Sequence, residues 1–299
     1  MKYIYANLTY LKKYALITTI SNSELTAQIH HKGAELCSLK SNKTSKEYIW
    51  EGNPEYWGKH SPVLFPIVGT LKNNTFKIKN SEYNLPRHGF ARDLVFELTD
   101  KKENKAVFSI QSTTETLKVY PFEFELQIIY TLEGQSLNIE YKVINRSKSK
   151  MPFSIGAHPA FALEGNFENY AIAFEKDEPL VYHLLENDLI SDKTETIKKQ
   201  DDSVALNYAL FENDALIFKK LQSNSLTILK NKKPLLEVAY KGFPYLGIWT
   251  KKDAPFICIE PWYGYSDTND ATGNIFEKEG IQIIEVNEVF DSKFSISIF

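Results

Sequence analysis

FEFELQIIY (122–130) alternates strictly: Phe122, Phe124, Leu126, Ile128 and Tyr130 fall on one side, with Glu123, Glu125 and Gln127 on the other. Successive side chains of an extended chain point to opposite faces, so the pattern predicts a half-buried antiparallel strand. SLNIEYKVIN (136–145) repeats it with Leu137, Ile139, Tyr141 and Val143 inward, and Glu133-Gly134 supplies a turn between the two. Phe294, Ile296 and Ile298 alternate again at the C-terminus. Further β-rich runs are ALITTI (15–20), 95–98, AVFSI (106–110), SLTIL (225–229), LLEVAY (235–240) and IQIIEV (281–286), separated by turn signals such as Lys32-Gly33 and Asn73-Asn74. Helical periodicity reaches about two turns at most, around residues 207–212. KTETIKKQDDS (193–203) reads as one exposed loop. There is no fixed-period repeat, low-complexity stretch or linker. The expected fold is all-β, one large, mostly antiparallel domain.

Composition narrows the function. At 299 residues and 43% hydrophobic, the chain can bury a sizeable core and is not disordered. A net charge of -3 gives no electrostatic reason to expect nucleic acid or an anionic membrane as partner. Arginine occurs only at Arg87, Arg92 and Arg146, so any phosphate site must draw on these or on lysine. Cys37 and Cys258 are too few for a disulfide framework or a thiolate metal site. Asn7, Lys12 and Lys13 interrupt the N-terminal apolar residues, and no run approaches the ~18 needed to span a bilayer. The expectation is a cytoplasmic protein.

Three segments break the strand-and-hairpin pattern. In SPVLFPIVGTLKNNTF (61–76), Pro62 and Pro66 deny a continuous ladder although the sequence between them is apolar, and NLPRHGFARDLVFEL (84–98) follows closely. A buried irregular segment needs special backbone partners and often lies near a binding site. By itself His88 reads as a surface-turn histidine, in an exposed-looking Arg-His-Gly turn. In MPFSIGAHPAFAL (151–163), Pro159 holds His158 extended, and small Gly156 and Ala157 leave room beside the imidazole for a ligand. The alternative is a core histidine bonded to a carbonyl. In APFICIEPWYGYSDT (254–268), Phe256, Cys258 and Glu260 share one face and Ile257 and Ile259 the other. That reads as a central strand with a carboxylate at its end, followed by Trp262, Tyr263 and Tyr265 as a stacking surface. A buried carboxylate must be paired, protonated or turned to a wet pocket, so Glu260 is the strongest single signal.

In this order, HKGAEL (31–36), SPVLFPIVG, RHGFAR (87–92), IGAHPAF and LGIWTKKDAPFICIEPWYGYSDT (246–268) resemble the aldose 1-epimerase (galactose mutarotase) family, closest to its LacX-type branch. The resemblance covers residues 14–299 and leaves 1–13 as an N-terminal extension. It implies a β-supersandwich of galactose mutarotase type, no cofactor, no metal, and interconversion of the α and β anomers of a free aldohexose. It assigns Glu260 as catalytic base and His158 as catalytic acid. His88 falls where the family holds the ring oxygen and neighbouring hydroxyls, and Asp214 loosely where it has a sugar-binding aspartate. Trp262 offers its ring to the sugar. Where many members carry Arg after the Gly of the FPxxG-like segment, this chain has Thr70; Lys72 or Arg92 is expected to substitute.

Mutarotation suits this pair. One group removes the C1 hydroxyl proton while another protonates the ring oxygen, and after rotation about C1–C2 the two act in reverse. Reference pKa values of about 4.3 and 6.5 bracket a usable window. No nucleophile or nucleotide is needed, and no Walker loop, GxSxG or His/Cys ligand cluster is present. His30, His31, His60 and His183 are read as surface or packing residues. Competing readings are a hexose 6-phosphate epimerase using Arg92 with Lys59 or Lys72, and a non-catalytic sugar-binding protein. A polysaccharide lyase or hydrolase would need a further helical domain. The expected partner is a small sugar, the expected assembly a monomer or homodimer.

Overall fold

A computed structural model describes residues 16–200 and 202–299; the predicted extension, residues 1–13, lies outside them. Two large sheets dominate. The nine-stranded sheet runs in the order Val204–Ala205, Tyr170–Phe174, Ser225–Lys230, Lys233–Ala239, Val289–Ile298, Ser136–Asn145, Phe124–Glu133, Lys105–Gln111 and Glu97–Lys101. The eight-stranded sheet runs Leu189–Ile197, Leu180–Glu186, Leu216–Phe218, Tyr245–Trp249, Phe256–Tyr263, Ile155–Ala157 and Val63–Leu64, and Ala160–Ala162 also pairs with Phe256–Tyr263. Every strand pairing among the described residues is antiparallel.

The alternation of 122–130 has the predicted consequence. Phe124, Leu126, Ile128 and Tyr130 are buried together with Leu137, Ile139, Tyr141 and Val143 of the neighbouring strand. One continuous apolar cluster joins these side chains to Leu246, Ile248, Ile257 and Ile259 of the eight-stranded sheet, so the main core lies between two facing sheets. The other face of the eight-stranded sheet carries two smaller clusters, one around Trp262 and one around Phe256 and Cys258. The parity of Phe256–Tyr263 makes this division: Ile257 and Ile259 enter the inter-sheet core, and Phe256, Cys258, Glu260 and Trp262 point the opposite way.

Two local readings are corrected. Residues 193–197 are not loop but the outer half of the edge strand Leu189–Ile197, paired with Leu180–Glu186. Their polarity belongs to an exposed edge, where charged side chains discourage further strand addition. The chain also contains a short α-helix, Thr114–Val119, opened by a capping box between Thr113 and Thr116. Residues 208–211 form a 3-10 turn capped by the Asn207 side chain, in keeping with the brief helical signal there. Among the described residues no helix is long and apolar enough to cross a membrane.

Candidate active site

Glu260 is not at a strand end. It is the fifth residue of Phe256–Tyr263, a strand flanked on both sides and buried through nearly its whole length. On one flank Gly247 lies opposite Glu260, and its missing side chain makes room for the Trp262 ring. On the other, the pairing is interrupted. Ile155 and Gly156 face Tyr263 and Trp262, the ladder then lapses, and it resumes with Ala160 opposite Cys258. The register is the same on both sides of the gap, which sets His158 directly across from Glu260. Pro159 and Pro261, which cannot donate to a ladder, occupy this lapse, so the backbone loses little by carrying them. Cross-strand neighbours on one face are in contact: His158 Nε2 and Glu260 Oε2 are 3.3 Å apart.

Both groups are deeply buried, Glu260 at 1% and His158 at 7% exposure. Glu260 Oε2 and His158 Nδ1 nevertheless make no hydrogen bond. Burial raises the Glu260 carboxyl well above its ordinary value; Arg87 and the Trp262 indole oppose that, and Asp214 adds to it. Burial likewise pushes His158 down to about 3, aided by the positive fields of Arg92 and Arg87. Both shifts favour the uncharged pair, a protonated carboxyl against a neutral imidazole: one group able to give a proton and one able to receive it.

The pair opens into a cavity of about 370 Å³, within the range of small-molecule sites, on the outer face of the eight-stranded sheet. His88, Arg92, Asp214 and Trp262 all line it. His88 is buried rather than a surface-turn residue, and sits at φ 68° with Gly89 at 69°. Its Nδ1 accepts the Gly69 N–H at 3.0 Å, and its Nε2 faces the Arg87 Nε–H at 3.4 Å. Burial, with His158 and the two arginines, holds His88 well below its usual pKa and so keeps it neutral. Asp214 Oδ1 accepts from the Ala215 N–H, and Asp214 Oδ2 lies 4.0 Å from Arg87.

Other predicted contacts are not brought in. Lys72 does not line the cavity: its Nζ donates to the Asn269 carbonyl at 2.7 Å and its N–H to Asp267. Arg87, unassigned in the sequence reading, lines it instead, and reaches Asp188 at 3.1 Å. Tyr263 turns to Phe243 and Phe290, and Tyr265 is buried outside the lining. The space beside Gly156 is filled by Trp262, not left for a ligand: a Cβ on Gly156 would lie 2.5 Å from the indole, and one on Gly247 2.4 Å from its far edge. These two glycines clamp Trp262 flat, and its Nε1 donates to the Ala157 carbonyl. His31 bonds Thr18, His60 the Trp50 carbonyl and His183 the Ser191 carbonyl, the packing roles expected of them.

Trp57 was not legible in the sequence, where EGNPEYWGKH (51–60) looks like a polar turn. Its ring stacks on His158 at 4.8 Å and 23°. The loop is pinned by Trp50 Nε1 to the Trp57 carbonyl and by Lys251 Nζ to the Tyr56 carbonyl. Removing the ring in Trp57→Ala should admit water to His158, raise its pKa toward 6.5 and cost about tenfold in turnover of a cavity substrate. An NMR titration of the imidazole checks the first effect, and an unmoved pKa would refute it.

Cys258 brings its thiol within 4.8 Å of the His158 and Glu260 ligand atoms. Burial raises that thiol well above its usual pKa, and a cation there would occupy the pair that proton transfer needs.

Comparison with known proteins places the chain in a family. A family model described as aldose 1-epimerase matches residues 16–281. The chain is 37% identical to protein LacX (plasmid) of Lactococcus lactis subsp. lactis, over 93% of this chain and 97% of the relative. A galactose mutarotase related enzyme from Lactobacillus acidophilus superposes with a TM-score of 0.91 at 34% identity, over 95% of this chain and 97% of that one. A galactose mutarotase-like protein from Lactobacillus casei gives 0.89 at 28%, over 95% and 100%. With the strand order, the His-Pro/Glu-Pro register and these matches together, the chain belongs to the aldose 1-epimerase family of isomerases.

Proposed function

We propose that this protein interconverts the α and β anomers of an aldohexose by general acid/base ring opening, with Glu260 and His158 as the proton-transferring pair. The single observation that carries the reading is the contact of Glu260 Oε2 with His158 Nε2 at 3.3 Å in a sugar-sized cavity. As the ring opens, the C1 hydroxyl proton passes to Glu260 and the C1–O bond to the ring oxygen breaks. The ring oxygen takes a proton from His158, leaving a free aldehyde and a hydroxyl. Rotation about C1–C2 presents the other face of the aldehyde, and the same transfers run backwards to close the ring. Because the pair carries one proton, the carboxylate/imidazolium form needed for the first step differs from the resting form only by a proton shift between touching atoms. Arg87 favours that form at Glu260. Neutral His88 lines the cavity beside the pair, and Trp262 gives an apolar ring face.

A sugar-binding protein without catalysis has no need of a buried, unsatisfied acid/base pair. Exchange spectroscopy on the anomers of galactose and glucose tests the proposal: the protein should accelerate exchange on at least one aldohexose, and no acceleration on any would overturn it.

The pH profile gives a second test. A second proton reaches the pair only near the depressed His158 value of about 3, and the last one leaves only at the raised Glu260 value. kcat/KM is therefore expected to show no acid limb near pH 6.5, where an unperturbed histidine titrates. An acid limb centred near 6.5 would contradict the one-proton pair.

A further inference from the structure

We propose that Cys258, with His158 and Glu260, forms a site for a thiophilic divalent cation such as zinc, and that its occupancy switches proton transfer off. The inhibition rests on the ring-opening reading above; the site itself does not. The Cys258 thiol is the member of this buried group that the mechanism leaves idle. Alternation along Phe256–Tyr263 puts it on the same face as Glu260, and the register that sets His158 across from Glu260 brings the imidazole to both. A ring nitrogen, Sγ and a carboxylate oxygen lie within 4.8 Å of one another, the one such set among the described residues. A single thiolate suffices here, because the acid/base pair supplies the other two donors.

The donor set selects the ion. Nitrogen, sulfur and oxygen from three side chains, with a fourth position open, suit zinc, or cobalt in its place, while magnesium and calcium take oxygen ligands. Bond lengths of about 2.0–2.3 Å put tetrahedral donors about 3.3–3.6 Å apart. His158 Nε2 and Glu260 Oε2 are already 3.3 Å apart, and Sγ has about 1 Å to travel. An ion held at such distances lies among its ligands, in space too small for a water molecule, so the burial of Glu260 Oε2 does not bar it. Oε2 also has no hydrogen bond to give up. The cavity, which His158 and Glu260 both line, is the way in and offers the fourth position to solvent. Charge balances on binding: the ion arrives doubly positive, the thiol and carboxyl protons leave to solvent, and the buried group stays neutral overall. The same exchange removes the proton that the pair would transfer and ties up the atoms that would carry it.

Cobalt reports its own ligands. Co2+ added to the full chain should give a thiolate-to-cobalt charge-transfer band in the near ultraviolet that saturates at equimolar metal and is displaced by Zn2+. The band should persist in Cys37→Ser, vanish in Cys258→Ala and weaken in Glu260→Gln. In anomeric exchange, excess Zn2+ should lower kcat/KM by roughly 10²-fold or more, the contribution of a positioned proton-transfer pair, and a chelator should restore it while Mg2+ has no effect. In Cys258→Ala the zinc concentration that halves the rate should rise at least ~10-fold, whatever the absolute rate, since loss of even an outer-shell partner costs about 10- to 100-fold in metal affinity. Should Cys258→Ala fold poorly, the spectra of the wild type and of Cys37→Ser answer alone. Absence of the band, a band lost in Cys37→Ser, or zinc inhibition undiminished in Cys258→Ala would overturn the inference, as would a full band with unimpaired exchange. No exchange on any sugar by the metal-free protein would overturn the ring-opening reading instead, and the cobalt band would still decide the site.

Discussion

Glu260→Gln should lower kcat/KM for anomeric exchange by ~10²- to 10⁴-fold, the usual contribution of a positioned proton-transfer group, while sugar binding persists. Glutamine keeps the shape of the side chain and removes only its ability to take a proton. Glutamine is close to isosteric with the carboxyl, and Oε2 has no hydrogen bond to lose. His158→Asn should cause a loss of similar size through the other half of the cycle. The two losses should not add, since a pair sharing one proton acts as a unit. Polarimetry or exchange spectroscopy measures the rates, and sugar titration by calorimetry measures binding. A Glu260→Gln protein of unchanged activity would remove Glu260 from the chemistry. Stability supplies an independent sign. A carboxyl raised by burial contributes its full stability below the unfolded value and loses it as pH rises toward the folded value. Glu260→Gln should therefore gain stability relative to wild type on going from pH 4 to pH 8, the reverse of what loss of a structural salt bridge would give.

The sequence makes the strands and the central catalytic candidates legible because both depend on local rules. Strict alternation in FEFELQIIY dictates a buried face whatever the partner strand is, and a carboxylate ending an apolar run demands an explanation anywhere. What it conceals depends on register. That His158 lies across from Glu260 follows from Gly156 facing Trp262 and Ala160 facing Cys258, pairings between segments about a hundred residues apart. Lys72 and Arg87 illustrate the same limit. Both are cations close to the FPxxG-like segment, yet one is drawn to the Asn269 carbonyl and the other to the cavity. His88 looks exposed because Arg-His-Gly is turn-like, and it is buried because the turn folds inward onto the Gly69 N–H. Trp57 in a polar loop carries no periodic signal at all. The polar run 193–197 shows the converse error, since an edge strand with charged side chains has the composition of a loop.

Replacing Lys278 with methionine should cost about 3–5 kcal/mol, the effect expected when one partner of a buried ion pair is removed and the other stays charged. Lys278 and Asp267 have side chains 3% and 4% exposed and meet at 2.8 Å. The ammonium also donates to the Tyr265 carbonyl at 2.6 Å. Burial lowers the Lys278 pKa, and Asp267 works against that shift, so the charge persists because its partner is there. Asp267 in turn accepts the Lys72 N–H at 2.9 Å, and its own N–H donates to the Thr70 carbonyl. The pair thus ties residues 265–267 to residues 70–72, the continuation of the segment whose Gly69 N–H holds His88. Loss of Lys278 leaves Asp267 buried without its counter-ion, and the cost of that uncompensated carboxylate should loosen this junction first. The expected result is a lower denaturation midpoint together with a raised KM, the latter through a displaced His88. Asp267→Asn combined with Lys278→Met should recover most of the stability, because the cost lies in the orphaned charge more than in the lost bond. Denaturant titration of the single and double variants decides it: a double variant no more stable than Lys278→Met would mean that packing around the lysine stem, and not the charge, holds the junction together.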